Sequence, residues 1–342
     1  MLDVAALAAD LMAVDSTSGE EAALMALVER RLTERGWTVT RIPVTEGRYD
    51  VLATWGAEPF VTLSTHLDTV PPFVPPRLDD HRLMGRGACD AKGIAAAMWC
   101  AAERLRADAV PVALLFVVGE EVSHDGARAA NAWARAHDVA SVALINGEPT
   151  ESALAVGTKG ALRATVRVEG RAAHSAYPTL GRSATRQLVK LLARLDDLVL
   201  PTDALLGATT VNIGSLAGGV ADNVVAPWAE ARLMARLVGP ADEVEACLRT
   251  WAGDDASLDI GMVVPPAHLT ALPGFPTAVV AYATDVPELG AWGTPYLFGP
   301  GSIHVAHTAD EWIAVPELRA AVDAYERLAR QALAEAGSAR PG

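Results

Sequence analysis

His66 follows the apolar run 60–65, Glu120 and Glu121 follow 112–118, and Glu148 follows 142–145. Each lies at the C-terminal end of a segment with strand composition, and in an open α/β sheet that edge gathers residues distant in sequence around a ligand. Asp90, inside Gly-Arg-Gly-Ala-Cys-Asp-Ala-Lys-Gly (85–93), precedes a helical pattern from Ile94 and would reach the same edge. An imidazole among carboxylates is a hard donor set with a borderline nitrogen, suited to Zn²⁺, Mn²⁺ or Co²⁺. Asp90, Glu120, Glu121 and Glu148 would bring four negative charges together, and without compensation they could not all ionise. Two divalent ions balance them where one does not, and paired ions are the clamp of hydrolytic metalloenzymes.

The elements that must position these residues are legible from periodicity. Helical patterns run from Val4 to Val14 and from Glu20 to Arg35, the second closed by Gly36. Runs with β composition follow at 38–44, 51–55 and 60–64. Then helix 94–105, strand 110–118, helix 126–137 and strand 141–145 alternate, which indicates βαβ units and a largely parallel sheet. After Gly157 the texture changes. Segments 162–168 and 229–237 alternate apolar and polar residues as half-exposed antiparallel strands do, with helical patterns at 182–195 and 242–251 between such strands. From Leu269 short strands return, and a long helix, 316–336, ends the chain. The expectation is an α/β catalytic domain, a mixed, mostly parallel sheet with flanking helices, formed by 1–157 and 268–342. An α+β domain is inserted at 158–267.

Composition excludes other classes. The 342 residues are 51% hydrophobic and 20% charged, far from the disordered regime. With 28 basic against 42 acidic residues and net charge −14, neither nucleic acid nor an anionic membrane surface is an expected partner. The longest strongly apolar stretch, 110–118, falls short of the ~20 residues of a membrane span. An N-terminus without a basic leader and three cysteines without a CxxC pair lead to a cytoplasmic expectation.

Taken in order, Ser-Thr-His-Leu-Asp-Thr-Val (64–70), the Gly85–Gly93 motif, Gly-Glu-Glu (119–121), Gly-Glu-Pro (147–149), His-Ser-Ala-Tyr-Pro (174–178), Asn-Val-Val-Ala-Pro (223–227) and Gly-Pro-Gly-Ser-Ile-His-Val-Ala-His (299–307) resemble the M20 metallopeptidase family, across essentially the whole chain. That family includes acetylornithine deacetylases, succinyl-diaminopimelate desuccinylases, aminoacylases and peptidases. The resemblance implies a zinc-exopeptidase-like catalytic domain with a lid or dimerisation insertion. It implies one ion held by His66, Asp90 and Glu148 and a second by Asp90, Glu121 and His307, with Asp90 bridging. Asp68 would hydrogen-bond His66 and fix its tautomer. Glu120 would be the general base, and His174, from the partner subunit of a homodimer, would stabilise the oxyanion. Asn223 and Arg236 would contact the substrate, with Lys159 and the backbone around Gly301 and Ser302 as further contacts.

Blander readings stand beside these. Asp90 could cap the helix at Ile94, Glu120–Glu121 could be a solvated pair, and His174 could pack on Tyr177. His304 is left as a substrate contact; His81, His124, His137 and His268 are read as surface or loop residues, and Cys89 as small packing. The expected function is dimetal deacylation of a small N-acyl amino acid, acetylornithine deacetylase-like, with zinc, cobalt or manganese. An M20 dipeptidase or carboxypeptidase is the alternative in the same chemistry, and a non-catalytic binding homologue the alternative from another class.

Overall fold

The structure, a computed structural model, describes residues 2–338. Two helices, α1 (Val4–Met12) and α2 (Ala22–Glu34), lead into strands β1 (Thr38–Thr45), β2 (Arg48–Trp55) and β3 (Phe60–His66). There follow α3 (Lys92–Ala107), β4 (Val112–Val117), α4 (Asp125–Ala136), β5 (Ser141–Asn146) and β6 (Leu154–Thr158). Next come β7 (Gly160–Glu169), α5 (Ala184–Leu192), β8 (Thr210–Gly218), β9 (Trp228–Leu237), α6 (Ala241–Ala252) and β10 (Ser257–Val264). The chain closes with β11 (Thr294–Leu297) and α7 (Val315–Ser338). It divides into two compact units: Met1–Val156 with Leu269–Ala278 and Thr284–Gly342, and Gly157–His268 with Val279–Ala283.

The first unit is built on a sheet of order β1-β2-β4-β3-β5-β11-β6. β3 pairs in parallel with β4 and β5, and β5 with β11, while β1, β2 and β6 join antiparallel. β4 shows why its six-residue apolar run must be central. Val112, Leu114 and Phe116 enter the core shared with α1, α2, α3 and α7, and Ala113, Leu115 and Val117 enter the core shared with α4. A strand covered on both faces has no polar side. α3 is likewise buried nearly all round, from Lys92 to Ala102, and its alanines keep it slim enough to lie between the sheet and its helical neighbours. Asp90 does not cap it: the cap position is Ala91, which makes no side-chain hydrogen bond.

The second unit is an antiparallel sheet of order β8-β9-β7-β10, with α5 and α6 on one face. Leu162, Ala164, Val166 and Val168 of β7 and Ala231, Leu233 and Leu237 of β9 point inward, against Leu188 and Leu191 of α5 and Val244 and Leu248 of α6. The alternation read in the sequence is this half-buried face.

Candidate metal centre

Register brings the strand ends level. His66 at the end of β3 lies opposite Val117 of β4, Ser64 opposite Asn146 of β5, and Asn146 opposite Leu297 of β11. The chain therefore leaves all four strands at one edge, and the residues that follow them meet there. Gly119 makes the first of these turns: at φ +76 it accepts backbone bonds from Ser123 (2.9 Å) and His124 (2.7 Å), which folds Glu120 and Glu121 back over the edge.

His66 Nε2 lies 3.1 Å from Asp90 Oδ1, and His307 Nε2 lies 3.3 Å from Asp90 Oδ2 and 3.0 Å from Glu121. The two oxygens of Asp90 thus face different histidines. Donor atoms of His66, Asp90 and Glu148 all fall within 4.8 Å of one another, and so do those of Asp90, Glu121 and His307. His66 Nδ1 is 3.0 Å from the carbonyl oxygen of Asp68, a contact only a protonated Nδ1 can make, so Nε2, which faces Asp90, is the ring nitrogen left to a metal ion. The expected contact of the Asp68 carboxylate with this ring is the longer one, 3.4 Å. That carboxylate accepts instead from Ser18 Oγ (2.7 Å) and from the backbone N–H groups of Glu120 (3.1 Å) and Glu121 (3.2 Å). Asp68 fixes the Glu120–Glu121 turn as much as the imidazole.

The electrostatics demand a cation. His66 is 1% exposed, Asp90 5% and Glu148 4%. Burial first of all lifts the Glu148 carboxyl well above its usual range; His66 counters this in part, and Asp90, Asp285 and Glu121 add to the rise. Glu120 is raised by burial and then by the charge of Glu148, and Glu121 by burial and Asp90. Burial opposes charge on His66, yet hydrogen bonds to Asp68 and Asp90 and the charges of Glu148 and Glu120 outweigh it and hold the ring protonated. Hydrogen bonds to Asp90 and Glu121 push the half-exposed His307 up to about 10. Protons here occupy the place of positive charge. Glu148 Oε1, buried with no hydrogen-bond partner, is an acceptor left waiting for a cation. The mixed imidazole–carboxylate donor set, the compact groups and this orphaned oxygen fit divalent metal ions.

Some residues that build the site were not singled out as doing so from sequence. Glu311 is buried; it accepts from Arg86 Nη1 (2.7 Å), Cys89 N (3.1 Å) and Asp90 N (3.2 Å), and so pins the loop that presents Asp90. Its spacing from His307 was the only available signal, and Arg86 lies 225 residues away in sequence. His124, expected at the surface, is buried at 3% exposed, with Nδ1 2.7 Å from Asp285. Asp285 carried no sequence signal. Together with Glu120 these two form another compact group of ligand-type atoms.

Other expected contacts are dispersed. The N–H of Gly301 donates to Glu317 (2.7 Å) and Ser302 Oγ to Glu151 (2.7 Å), so neither donor is free for a substrate. His304 is exposed on the same loop. Within the second unit, His174 bridges Val224, and Ser175 N donates to the carbonyl of Asn223 (2.9 Å), which makes His174 and Asn223 neighbours. Arg236 is not with them. It pairs with Ala161 at the far end of β9, separated from Trp228 by roughly 27 Å of extended strand. Lys159 adjoins β7 at that end, its Nζ donating to Ala208 O (2.7 Å).

Comparison with known proteins agrees with this geometry. Residues 156–254 match the family model of a peptidase dimerisation domain. A probable carboxypeptidase of Aspergillus clavatus is 40% identical over 367 residues, covering 95% of this chain and 81% of the relative. The fold is that of an M20 family metallo-carboxypeptidase of Sulfolobus solfataricus (TM-score 0.79, 17% identity, 97% of this chain and 99% of that one). It is also that of a Bacillus subtilis protein described as a dinuclear metal binding peptidase of the M20 family (TM-score 0.72, 15% identity, 98% and 97%). With a catalytic-type sheet edge lined by carboxylates and histidines and a relative this close over nearly its full length, the chain belongs to the M20 metallopeptidase family, metal-dependent hydrolases of amide bonds.

Proposed function

We propose that this chain is a two-metal carboxypeptidase, hydrolysing the amide bond next to a free terminal carboxylate in a short peptide or N-acyl amino acid. The observation that carries this reading is the shared Asp90, whose two oxygens face His66 and His307 from opposite sides. His66, Asp90 and Glu148 would hold one ion, and Asp90, Glu121 and His307 the other. Zinc suits the donor set, as do cobalt and manganese. When bound, the ions supply Lewis acidity toward a carbonyl and toward water. Glu120, on the same turn but outside both ligand sets, accepts the proton of the attacking water and delivers it to the leaving amine. Hydrogen bonds from its backbone and that of Glu121 to Asp68 hold that turn in place.

The carboxypeptidase reading is preferred to the deacylase one because the full-length relative is named a probable carboxypeptidase. Deacylation of an N-acyl amino acid such as acetylornithine uses the same bond and the same groups. A homodimer through the second unit is supported by the dimerisation-domain match and by β8, an edge strand with Ile213 and Leu216 exposed. His174 would then serve the partner's site as oxyanion donor. No helix among the described residues is long and apolar enough to cross a membrane.

The test is a substrate panel for the metal-loaded protein: dipeptides with a free or an amidated C-terminus, and N-acetyl and N-succinyl amino acids. Hydrolysis of free-acid dipeptides with loss of activity on the amides is expected, and Glu120→Gln should lose orders of magnitude in rate while retaining metal. Cleavage of the N-acyl amino acids alone would make the chain a deacylase. Full turnover by Glu120→Gln would remove the proposed base.

A further inference from the structure

We propose that His124 and Asp285 are a positioning pair that holds the carboxylate of Glu120 in its working orientation; this rests on the reading of Glu120 as the base. His124 occupies the cap position of α4 with left-handed backbone (φ +54), a conformation that side chains with a Cβ rarely adopt. Residues at such a cap commonly use the side chain to bind the first turn of the helix, but His124 makes no such bond. Its ring is directed elsewhere, to Asp285, 161 residues away in sequence. A disfavoured backbone kept for a side chain that does no local work points to a demand made by the site.

The contacts define that demand. His124 Nδ1 lies 2.7 Å from Asp285 Oδ1 and 3.9 Å from Glu120 Oε1. Among the described residues, the carboxylate of Glu120 has no other ion-pair partner within 4.0 Å. Asp285, 1% exposed, holds the Nδ1 edge of the ring that also faces Glu120, the three groups lying within 4.8 Å of one another. A carboxylate that takes a proton from water and returns it to the leaving amine has to keep one orientation through each turnover. A fixed imidazole edge on one side supplies the counter-pole that keeps it from swinging away. His124 belongs to neither of the two ligand groups assigned to ions, so its loss should not empty the metal centre.

The experiment compares His124→Ala, His124→Asn and the near-isosteric Asp285→Asn with wild type and with Glu120→Gln, reading kcat, KM, bound metal and thermal midpoint. His124→Ala and Asp285→Asn should lower kcat by about 10- to 100-fold, with KM within about twofold and both metal equivalents retained. Asparagine, which can place an amide donor near the position of Nδ1, should recover part of the loss. Wild-type kcat in His124→Ala and Asp285→Asn, with Glu120→Gln inactive, overturns the pair and leaves the base. An active Glu120→Gln removes both. If kcat, metal content and thermal midpoint fall together in Asp285→Asn, or asparagine is no better than alanine at 124, the pair is structural and the proposal is wrong. So is it if wild type binds a third equivalent of metal that His124→Ala loses.

Discussion

At the scale of single residues, the donor set was legible because chemistry and strand ends coincide: a His or a Glu directly after an apolar run has few structural reasons to be there. The residues that hold those donors were not, because their partners are distant. Glu311 meets Arg86 across 225 residues and His124 meets Asp285 across 161, separations at which a single sequence carries no pairing signal. The donors' own charges lead to a prediction for metal-free protein. His66 and His307 are raised above the ordinary 6.5, so the stability they contribute is complete below that pH and is lost as pH rises through their folded values, about 10 for His307. Glu120, Glu121 and Glu148 are raised above 4.5, so above that pH the unfolded chain releases protons that the folded chain retains, and stability again falls as pH rises. Asp68 and Asp90 are lowered, against burial, by hydrogen bonds from the histidines; their contribution is present above 3.8 and is lost in acid. The thermal midpoint of metal-free protein should therefore peak at weakly acid pH and decline toward pH 10, and zinc should flatten the decline. Melting curves from pH 4 to 10, with and without metal, decide it; a metal-free midpoint that climbs with pH contradicts the assigned coupling.

At the scale of elements, periodicity located the strands and helices but not the turns, whose conformations depend on contacts made elsewhere. It also could not show that Asn223 and Arg236 lie at opposite ends of one small sheet, since 13 residues can be a hairpin or, as here, a loop followed by a full strand. The Gly119 turn is the clearest case. A Cβ there would collide with Asp125 Oδ1 and lie 2.7 Å from Arg48 Nη2. Those two groups are themselves fixed, since Arg48 bridges Asp125 (2.5 Å) and the buried Glu21 (2.9 Å). Gly119→Ala should therefore cost about 1–3 kcal/mol from overpacking and roughly 1–2 kcal/mol from its positive φ, and displace Glu120 and Glu121. Gly47, in the β1–β2 hairpin, has the same φ of +76 with nothing within 4 Å of a new Cβ. Gly47→Ala thus isolates the backbone cost. Urea denaturation and metal titration of both variants should show a larger stability loss, and weakened metal binding, only at 119. Equal losses with equal metal affinity would mean that the turn tolerates the collision.

At the scale of the whole molecule, the role proposed for His174, oxyanion donor to a partner's site, separates a monomeric enzyme from an obligate dimer. β7 starts and β10 ends at one end of the small sheet, beside Lys159 and Arg236, and there the chain passes to and from the rest of the protein. His174 and Asn223 lie beyond the other end, past Glu169 and Trp228. A sheet ten residues long holds the two sets of groups apart. In the proposed homodimer His174 serves a second copy, and β8 offers the open edge for such an association. Complementation tests this without a structure of the dimer. Glu120→Gln and His174→Ala chains should each be inactive alone. In a mixed dimer, the catalytic unit of the His174→Ala chain keeps its Glu120 and receives an intact His174 from the other chain, which restores one of the two sites. Random reassortment of equal amounts makes half of the dimers mixed, so activity should recover to about a quarter of wild type in a twofold-symmetric assembly. If His174 serves its own chain, every site in the mixture lacks one group and activity stays at background. Co-purification of differently tagged chains checks that exchange has occurred, and introduction of a charge at Leu216, which would weaken the β8 edge, should abolish the recovery together with the dimer.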